Sequence, residues 1–173
     1  MGITFKKCDV DDVIALQELS VETFAEAFEK QNDPEDFKTY LTKAFSKEQL
    51  LSEVGNPDTF FYFVTRGDEL VGYLKVNVFG AQSELRETEG MELERIYVKS
   101  KFQGQGMGSK MLSFVESLAL EKDKTYLWLG VWEHNPNAIR FYERNGYVKF
   151  GTHPYYIGND KQVDWLLKKN LNR

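Results

Sequence analysis

The chain contains very little cysteine and histidine. Of its 173 residues, one is cysteine and two are histidine. Cys8 has no partner for an internal disulfide, and one cysteine with two distant histidines, His134 and His153, cannot form a structural zinc site. We therefore expect no metal. Cys8 is expected to be a packed, inert thiol, and both histidines are expected to be surface residues rather than catalytic bases.

Long apolar runs and an excess of basic residues are also missing. No segment approaches the roughly 18 apolar residues of a membrane span, and the first twelve residues, MGITFKKCDVDD, lack the apolar stretch of a signal peptide. The 22 basic and 27 acidic residues give a net charge of −5, which argues against a nucleic-acid partner. We expect a cytoplasmic protein that binds neither membranes nor nucleic acid. The acidic balance leaves room for a cationic substrate.

The remaining composition predicts one α/β domain over residues 1–173. Hydrophobic residues make up 42% and charged residues 28% of the chain, ordinary values for a globular protein, and no repeat or linker divides it. A mixed sheet covered by helices is predicted, with helix caps at Asp9 or Asp11, at Asp33 and at Ser46. Strands are expected at 3–7, 59–65, 70–79, 91–98, 125–132, 147–157 and 162–168, and the later helices follow 108 and span 135–145.

A glycine-rich segment lies between a predicted strand and an amphipathic helix. It reads Gln103-Gly104-Gln105-Gly106-Met107-Gly108-Ser109. Glycines at alternate positions allow positive φ angles and close approach of a ligand to the backbone, and the amides at the helix start favour an anion such as pyrophosphate. A dinucleotide fingerprint would need glycine in place of Ser109, and a P-loop would need Gly-Lys-Ser/Thr. The alternative is a tight strand-to-helix turn without a ligand.

Two sequence blocks together are similar to a known family. The first is Met91–Val98 followed by Gln103, Gly106 and Gly108. The second is 135–147, which matches Asn-x-x-Ala-x-x-x-Tyr-x-x-x-Gly-Phe except that Tyr147 replaces the phenylalanine. Both blocks resemble the acetyl-CoA site of the GNAT superfamily of N-acetyltransferases. Within it, segments 94–97 and 129–133 are most similar to bacterial PaiA-type spermidine/spermine N-acetyltransferases, whereas the first ninety residues match only in the order of elements.

The resemblance implies a mixed, mostly antiparallel central sheet flanked by helices, with splayed strands that form an acetyl-CoA cleft. Acetyl-CoA would be the co-substrate. The segment Ile96-Tyr97-Val98 would pair with the pantetheine arm through the backbone of Ile96 and Val98. Asn135 and Ala138 would line the other side of the cofactor, and Tyr142 would lie near the sulfur. The amides that would hold the pyrophosphate belong to Gln103, Gly104, Gln105, Gly106, Met107, Gly108 and Ser109.

Acetyl transfer to an amine requires removal of a proton, because an alkyl amine with a pKa near 10.4 is neutral in about one molecule in 2,500 at pH 7. Glu92 and Glu94 share a strand face by alternation, and the family places a base at one of the equivalent positions. We prefer Glu94. The alternative is that both are solvated carboxylates at a strand end. Tyr142 would hydrogen-bond to the departing thiolate, and its alternative role is that of a core tyrosine beside Phe141.

The acceptor is predicted to be a small-molecule amine, in particular a polyamine such as spermidine or spermine. Ten acidic residues between Asp9 and Asp36 would border the acceptor side of a GNAT fold and attract a cation, although they could equally form a solvated helix face. A protein N-terminus or a lysine is the alternative acceptor. A second alternative is a CoA-sensing module without turnover. The chain is expected to be a monomer or a homodimer.

Overall fold

The structure, a computed structural model, describes residues 2–172, so the two end residues of the domain predicted over 1–173 lie outside the described residues. Strands and helices follow one another in the order that the hydrophobic pattern predicts. The strands are β1 (Ile3–Lys7), β2 (Thr59–Arg66), β3 (Glu69–Val78), β4 (Gly90–Val98), β5 (Tyr126–Trp132), β6 (Val148–Ile157) and β7 (Asp160–Asn170). The helices are α1 (Val13–Phe28), α2 (Pro34–Ala44), α3 (Lys47–Val54), α4 (Met107–Glu121) and α5 (Pro136–Arg144).

The strands form one mixed sheet in the order β1-β2-β3-β4-β5-β7-β6. Neighbouring strands are antiparallel except for β4 and β5, which are parallel. These two strands pair only over Gly90–Glu92 and Tyr126–Trp128, and within residues 2–172 no further pairing joins them. They diverge beyond that point, and a wedge-shaped gap opens in the middle of the sheet. The splayed, mostly antiparallel sheet expected from the resemblance is confirmed.

Helices cover both faces of the sheet because successive strand residues point to opposite sides. On one face, α4 and α5 contribute Met111 and Ile139 to the largest core cluster. On the other face, α1 contributes Leu16 to a second cluster. Strand β3 serves both, with Leu74 in the first cluster and Tyr73 in the second. We call these two sides the α4 face and the α1 face.

The predicted capping residues start three of the helical segments. The side chains of Asp33 and Ser46 accept hydrogen bonds from the first amides of α2 and α3. Of the two candidates for the first cap, Asp9 is the one used, and it begins a single 3-10 turn, Val10–Asp12, that leads into α1. Short polar side chains therefore determine where the N-terminal helices begin.

Helix α1 extends as far as the gap in the sheet. It ends at Phe28, and Thr23 and Phe24 lie on its buried side. This last turn matters for the site, since Thr23, Phe24 and Phe28 lie along the gap in the sheet. No helix among residues 2–172 is long and apolar enough to cross a bilayer.

Gly72 marks a close contact between β3 and β4 beside the gap. A Cβ atom at this position would overlap the backbone oxygen of Tyr97 and lie 3.1 Å from the Cα of Val98. We expect Gly72→Ala to displace β4 and to lower the free energy of unfolding by about 3 kcal/mol, the upper part of the usual range for overpacking. Urea denaturation measures the loss. Gly151→Ala is the control, because its Cβ would meet Leu166 at an ordinary 3.8 Å; equal midpoints for the two variants would contradict the prediction.

Candidate active site

The gap between β4 and β5 opens into a cleft that passes through the sheet. Its volume of about 880 Å³ falls in the range typical of sites for organic ligands. The glycine segment and α5 form the wall on the α4 face, and α1 with the β6–β7 hairpin forms the wall on the α1 face. The predicted site residues that line the cleft are Glu94, Ile96, Tyr97, Val98, Gln103, Gly104, Gly106, Met107, Gly108, Ser109, Asn135, Ala138 and Tyr142. Gln105 and Glu92 lie outside its wall.

The glycine segment has the backbone that an anion-binding turn requires. Gly104 and Gly106 have φ angles of +76° and +79°, in the left-handed region that L side chains rarely adopt. No atom lies within 4 Å of the position that a Cβ would take on either residue. Gly106 is also the N-cap of α4, and no side chain caps that helix. The first amides of α4 are therefore available to a phosphate group.

Gly108 serves a different purpose from the other two glycines. It lies inside α4 and its φ is not positive, so the expectation that alternate glycines provide positive φ is wrong at this position. A Cβ on Gly108 would lie 2.9 Å from the ring of Phe141. Glycine is needed here because α4 and α5 approach each other closely, and this packing holds α5 beside the glycine segment.

The side chains of the two glutamines hold the segment in place. Gln103 donates from Nε2 to the carbonyl of Val98 at 3.0 Å and so links the segment to the end of β4. Gln105 accepts a hydrogen bond from Arg66 at 2.9 Å and donates to the carbonyl of Lys101 at 3.2 Å. Only the backbone of Gln105 is therefore a candidate for contact with a ligand.

Helix α5 brings Tyr142 to the cleft. Asn135 caps this helix, since its Oδ1 accepts from the amide of Ala138 at 3.3 Å. The ring of Tyr142 packs against Phe141 and Tyr147, with centroid distances of 5.3 and 5.7 Å. Burial raises the pKa of Tyr142 well above its ordinary value, so the phenol stays protonated. Within residues 2–172 no group hydrogen-bonds to its hydroxyl, which leaves the O–H free to donate into the cleft.

The two predicted bases lie on one face of β4 but in different surroundings. Asn77 donates from Nδ2 to both, at 3.0 Å to Glu92 and 2.8 Å to Glu94, which confirms the shared face. Glu92 is 3% exposed and accepts further hydrogen bonds from the amide and hydroxyl of Ser83 at 2.8 and 2.6 Å. Burial, and then the nearby Glu94, raise the pKa of Glu92. Glu92 is thus buried and hydrogen-bonded, and the alternative of a solvated side chain is wrong for it.

Glu94 lies in the cleft wall and belongs to a cluster of four charged residues. Its Oε2 is 2.8 Å from Nζ of Lys75 and 3.4 Å from Nε of Arg95, and Glu53 lies 2.6 Å from the same Nζ. A β-bulge leaves Glu94 without a partner on β3. Burial raises the pKa of Glu94, but Lys75 and Arg95 outweigh this effect and hold the pKa below its ordinary value. The two cations balance the two carboxylates.

Comparison with known proteins assigns this chain to a family. The model of the acetyltransferase (GNAT) family matches residues 14–147, a range that includes β4, the glycine segment, β5 and α5. The chain belongs to the GNAT family. The resemblance drawn from the two sequence blocks is therefore confirmed, and the acetyl donor used in this family is acetyl-CoA.

Individual GNAT proteins resemble the chain over nearly its whole length. An uncharacterized N-acetyltransferase from Lactobacillus delbrueckii subsp. lactis is 41% identical over 170 residues, 98% of each chain. A spermidine N(1)-acetyltransferase from Thermoplasma acidophilum is 24% identical over 153 residues, 85% of this chain and 89% of the relative. The crystal structure of the PaiA N-acetyltransferase of Thermoplasma acidophilum with coenzyme A gives a TM-score of 0.79 at 21% identity, with 98% and 99% of the chains covered. This last likeness shows that the fold is shared.

Neither the two histidines nor the cysteine is among the residues that line the cleft. His153 lies beside Glu84, and the exposed His134 packs its ring edge-on against Trp132 at 5.3 Å. Cys8 is buried, and burial raises the pKa of its thiol to about 12, so the thiol stays protonated at neutral pH. Among the described residues, no group of three or more His, Cys, Asp or Glu side chains is arranged to hold a metal ion.

The acidic N-terminal region contributes less to the GNAT cleft than expected. All ten of its acidic residues lie within residues 2–172, and Glu26 is the one that lines the cleft, where it accepts hydrogen bonds from Ser100 at 2.5 and 3.4 Å. Asp9 and Asp33 are helix caps, and Asp12 pairs with Lys6 at 3.2 Å. Several of these carboxylates therefore stabilise helix starts or form local ion pairs and do not face the cleft.

The sequence analysis missed one carboxylate of the cleft, Asp164. It lies on β7, paired in register with Trp132 of β5 and with His153 of β6, and it lines the cleft on the α1 face. The sequence did contain a signal, because Asp164 is the one charged residue in the otherwise apolar run 163–167. Aspartate is uncommon in such a run, because its charge is rarely buried unless it is paired.

Replacement of Gly106 tests the role of the glycine segment. An alanine in the left-handed conformation at φ +79° is less stable by about 1–2 kcal/mol. The ligand-free loop of Gly106→Ala is therefore expected to relax. Binding of a ligand must then restore the left-handed turn, which weakens the affinity. Acetyl-CoA should bind about 5- to 30-fold more weakly, as isothermal titration calorimetry would show. Gly80→Ala is the matched control, since Gly80 has no positive φ and a Cβ there would meet nothing within 4 Å. Equal affinity in the two variants would count against an anion-binding turn.

Proposed function

We propose that the protein is an acetyl-CoA-dependent N-acetyltransferase that transfers acetyl directly to a primary amine, and that this amine is a polyamine such as spermidine or spermine. The observation that carries the proposal is the cleft, where a glycine-rich, uncapped helix start on the α4 face and carboxylates on the α1 face meet at one opening through the sheet. The helix start suits the pyrophosphate of acetyl-CoA. The carboxylates suit a cationic amine.

The choice of a polyamine has two supports. A relative that aligns with most of this chain is named a spermidine N(1)-acetyltransferase. In addition, Glu26 and Asp164 line the α1 face, and within residues 2–172 neither carboxylate forms an ion pair. A polyamine carries several ammonium groups, so one nitrogen can react while another remains near a carboxylate.

On the donor side, the backbone supplies most of the expected contacts. The free edge of Ile96–Val98 would pair with the extended pantetheine arm as a strand pairs with a sheet edge, and the glycine segment would bind the pyrophosphate. Tyr142 would donate its O–H to the leaving sulfur. Since its pKa is raised, this is a hydrogen bond that strengthens as charge develops on the sulfur, rather than complete proton transfer.

Glu94 is the better placed of the two predicted bases, because Glu92 lies outside the cleft. Its charge is balanced by Lys75 and Arg95, and its lowered pKa makes it a weak proton acceptor. We therefore assign Glu94 to a positioning role, in which the ion cluster holds the bulged edge of β4 at the cleft.

The experiment that tests the proposed function is an acceptor panel. The purified protein is mixed with acetyl-CoA and one amine at a time, and release of the CoA thiol is followed. We expect release with spermidine and spermine, and none above the hydrolysis background with a lysine peptide or an N-terminal peptide. Release with the peptides alone would replace the polyamine by a protein acceptor. Binding of acetyl-CoA without release from any amine would favour a sensor.

A further inference from the structure

The carboxylate of Asp164 lies where the donor and acceptor sides of the cleft meet. A Cβ on Gly130 would be 3.2 Å from Oδ2 of Asp164, so the carboxylate lies directly over the backbone of β5. Trp128 is the last residue of β5 that pairs with β4, and Gly130 follows it by two positions. Glycine at this point leaves the carboxylate room at the opening through the sheet.

The neighbouring polar groups of this wall are already bonded to one another. Gln162 donates to the side-chain oxygen of Asn32 at 2.6 Å, and the hydroxyls of Tyr155 and Tyr40 lie 2.5 Å apart. In contrast, no hydrogen bond or ion pair engages the carboxylate of Asp164 within residues 2–172. Of the described acidic residues that line the cleft, Glu26 and Glu94 have partners, and the carboxylate of Asp164 is the one that remains free for a ligand.

The surroundings of Asp164 leave its carboxylate ionised at neutral pH but give it a higher pKa than an ordinary aspartate. Burial raises its pKa to about 6, and His153 partly opposes this rise; His153 itself lies beside Glu84. The other titratable groups that interact with it are Tyr155 and Tyr40, both neutral, and β5 presents glycine and tryptophan here. At pH 7 most molecules therefore carry a carboxylate that accepts a proton more readily than an ordinary aspartate does.

We propose that Asp164 receives the reacting nitrogen of the amine acceptor and takes up its proton. The inference rests on the proposed function and deepens it. One proton passes from the ammonium nitrogen to an Oδ of Asp164, and the freed lone pair forms the bond to the acetyl carbonyl carbon. The carbon–sulfur bond then breaks with its electron pair on sulfur. The second proton lost by the nitrogen ends on that sulfur, which also accepts a hydrogen bond from Tyr142. Asp164 then releases to water the proton that it took up.

The test compares Asp164→Asn with wild type and with Asp160→Asn, a variant of an exposed carboxylate on the same strand. Initial rates with spermidine between pH 5 and 9 give kcat/KM, and calorimetry gives the affinity for acetyl-CoA. For wild type and Asp160→Asn we expect kcat/KM to rise through an inflection near pH 6. Asp164→Asn should lose that inflection and about 100-fold in kcat/KM at pH 7.5, with acetyl-CoA affinity within about twofold.

The outcomes separate this inference from the proposed function. An inflection near pH 6 that persists in Asp164→Asn, or a loss of kcat/KM smaller than about threefold, would overturn the role of Asp164 while leaving the polyamine acceptor intact. If the wild-type protein releases thiol with peptides alone, the polyamine acceptor is wrong. The three proteins are then compared with the reactive peptide as the acceptor. A wild-type protein that acetylates no amine would overturn both.

Discussion

Tyr142→Phe is expected to lower kcat about 1,000-fold, at the upper end of the range for loss of one hydrogen-bond donor to a developing charge, and to leave acetyl-CoA affinity within about twofold. The substitution removes the O–H that faces the cleft while the ring keeps its contacts with Phe141 and Tyr147. An interaction made only as the thiolate develops affects kcat rather than ground-state binding. Steady-state rates with a reactive amine and calorimetry with acetyl-CoA measure the two effects separately.

Tyr147→Phe is the matched control for this prediction. The hydroxyl of Tyr147 is buried and has no hydrogen-bond partner among the described residues, and phenylalanine is the residue that the family motif carries at this position. We expect kcat within about twofold of wild type and an unchanged or higher stability, since an unsatisfied buried polar group is removed. If both phenylalanine variants lose activity equally, the effect of Tyr142 is one of packing and not of its hydroxyl.

Trp128→Ala is expected to have the largest effect on stability, a loss of about 4 kcal/mol in the free energy of unfolding. Trp128 is 1% exposed, and its Nε1 donates to Oε1 of Gln82 at 2.7 Å. It also pairs with Glu92 at the last point where β4 and β5 are joined. The substitution therefore leaves a cavity and an unpaired amide oxygen at the vertex of the gap.

Trp128→Phe separates the two contributions to this loss. It keeps an aromatic ring but removes the hydrogen bond to Gln82, so we expect a smaller loss of about 1–2 kcal/mol. Urea denaturation of both variants, with and without acetyl-CoA, provides the values. A loss for Trp128→Ala no larger than that for Trp128→Phe would contradict the idea that the buried indole supports the vertex.

The donor side of the site could be predicted because its signals are local in the sequence. Left-handed turns at Gly104 and Gly106 need glycine, the cap at Asn135 needs a short polar side chain, and Tyr142 follows the cap by seven positions on one helix. Backbone conformation and helical spacing are encoded by neighbouring residues. They therefore remain readable without the tertiary structure.

The acceptor side could not be predicted to the same degree because it is assembled from distant segments. The environment of Glu94 depends on Glu53 and Lys75, which come from α3 and β3, and on a bulge that no local pattern revealed. The sequence predicts Glu94 as a base, but it does not reveal the ion cluster to which Glu94 belongs in the folded chain. Asp164 reaches the cleft only because β7 inserts beside β5, a pairing that the order of elements does not specify.

The gap leaves two strand edges inside the sheet, over 93–98 of β4 and 129–132 of β5, that have no strand partner across the gap in the described chain. A ligand that pairs with these edges binds the folded chain alone, so it stabilises the fold by an amount that grows with the logarithm of its concentration above the dissociation constant. We therefore expect the purified chain to resist a protease longer when acetyl-CoA is present than when it is absent, because only the folded chain offers both strand edges.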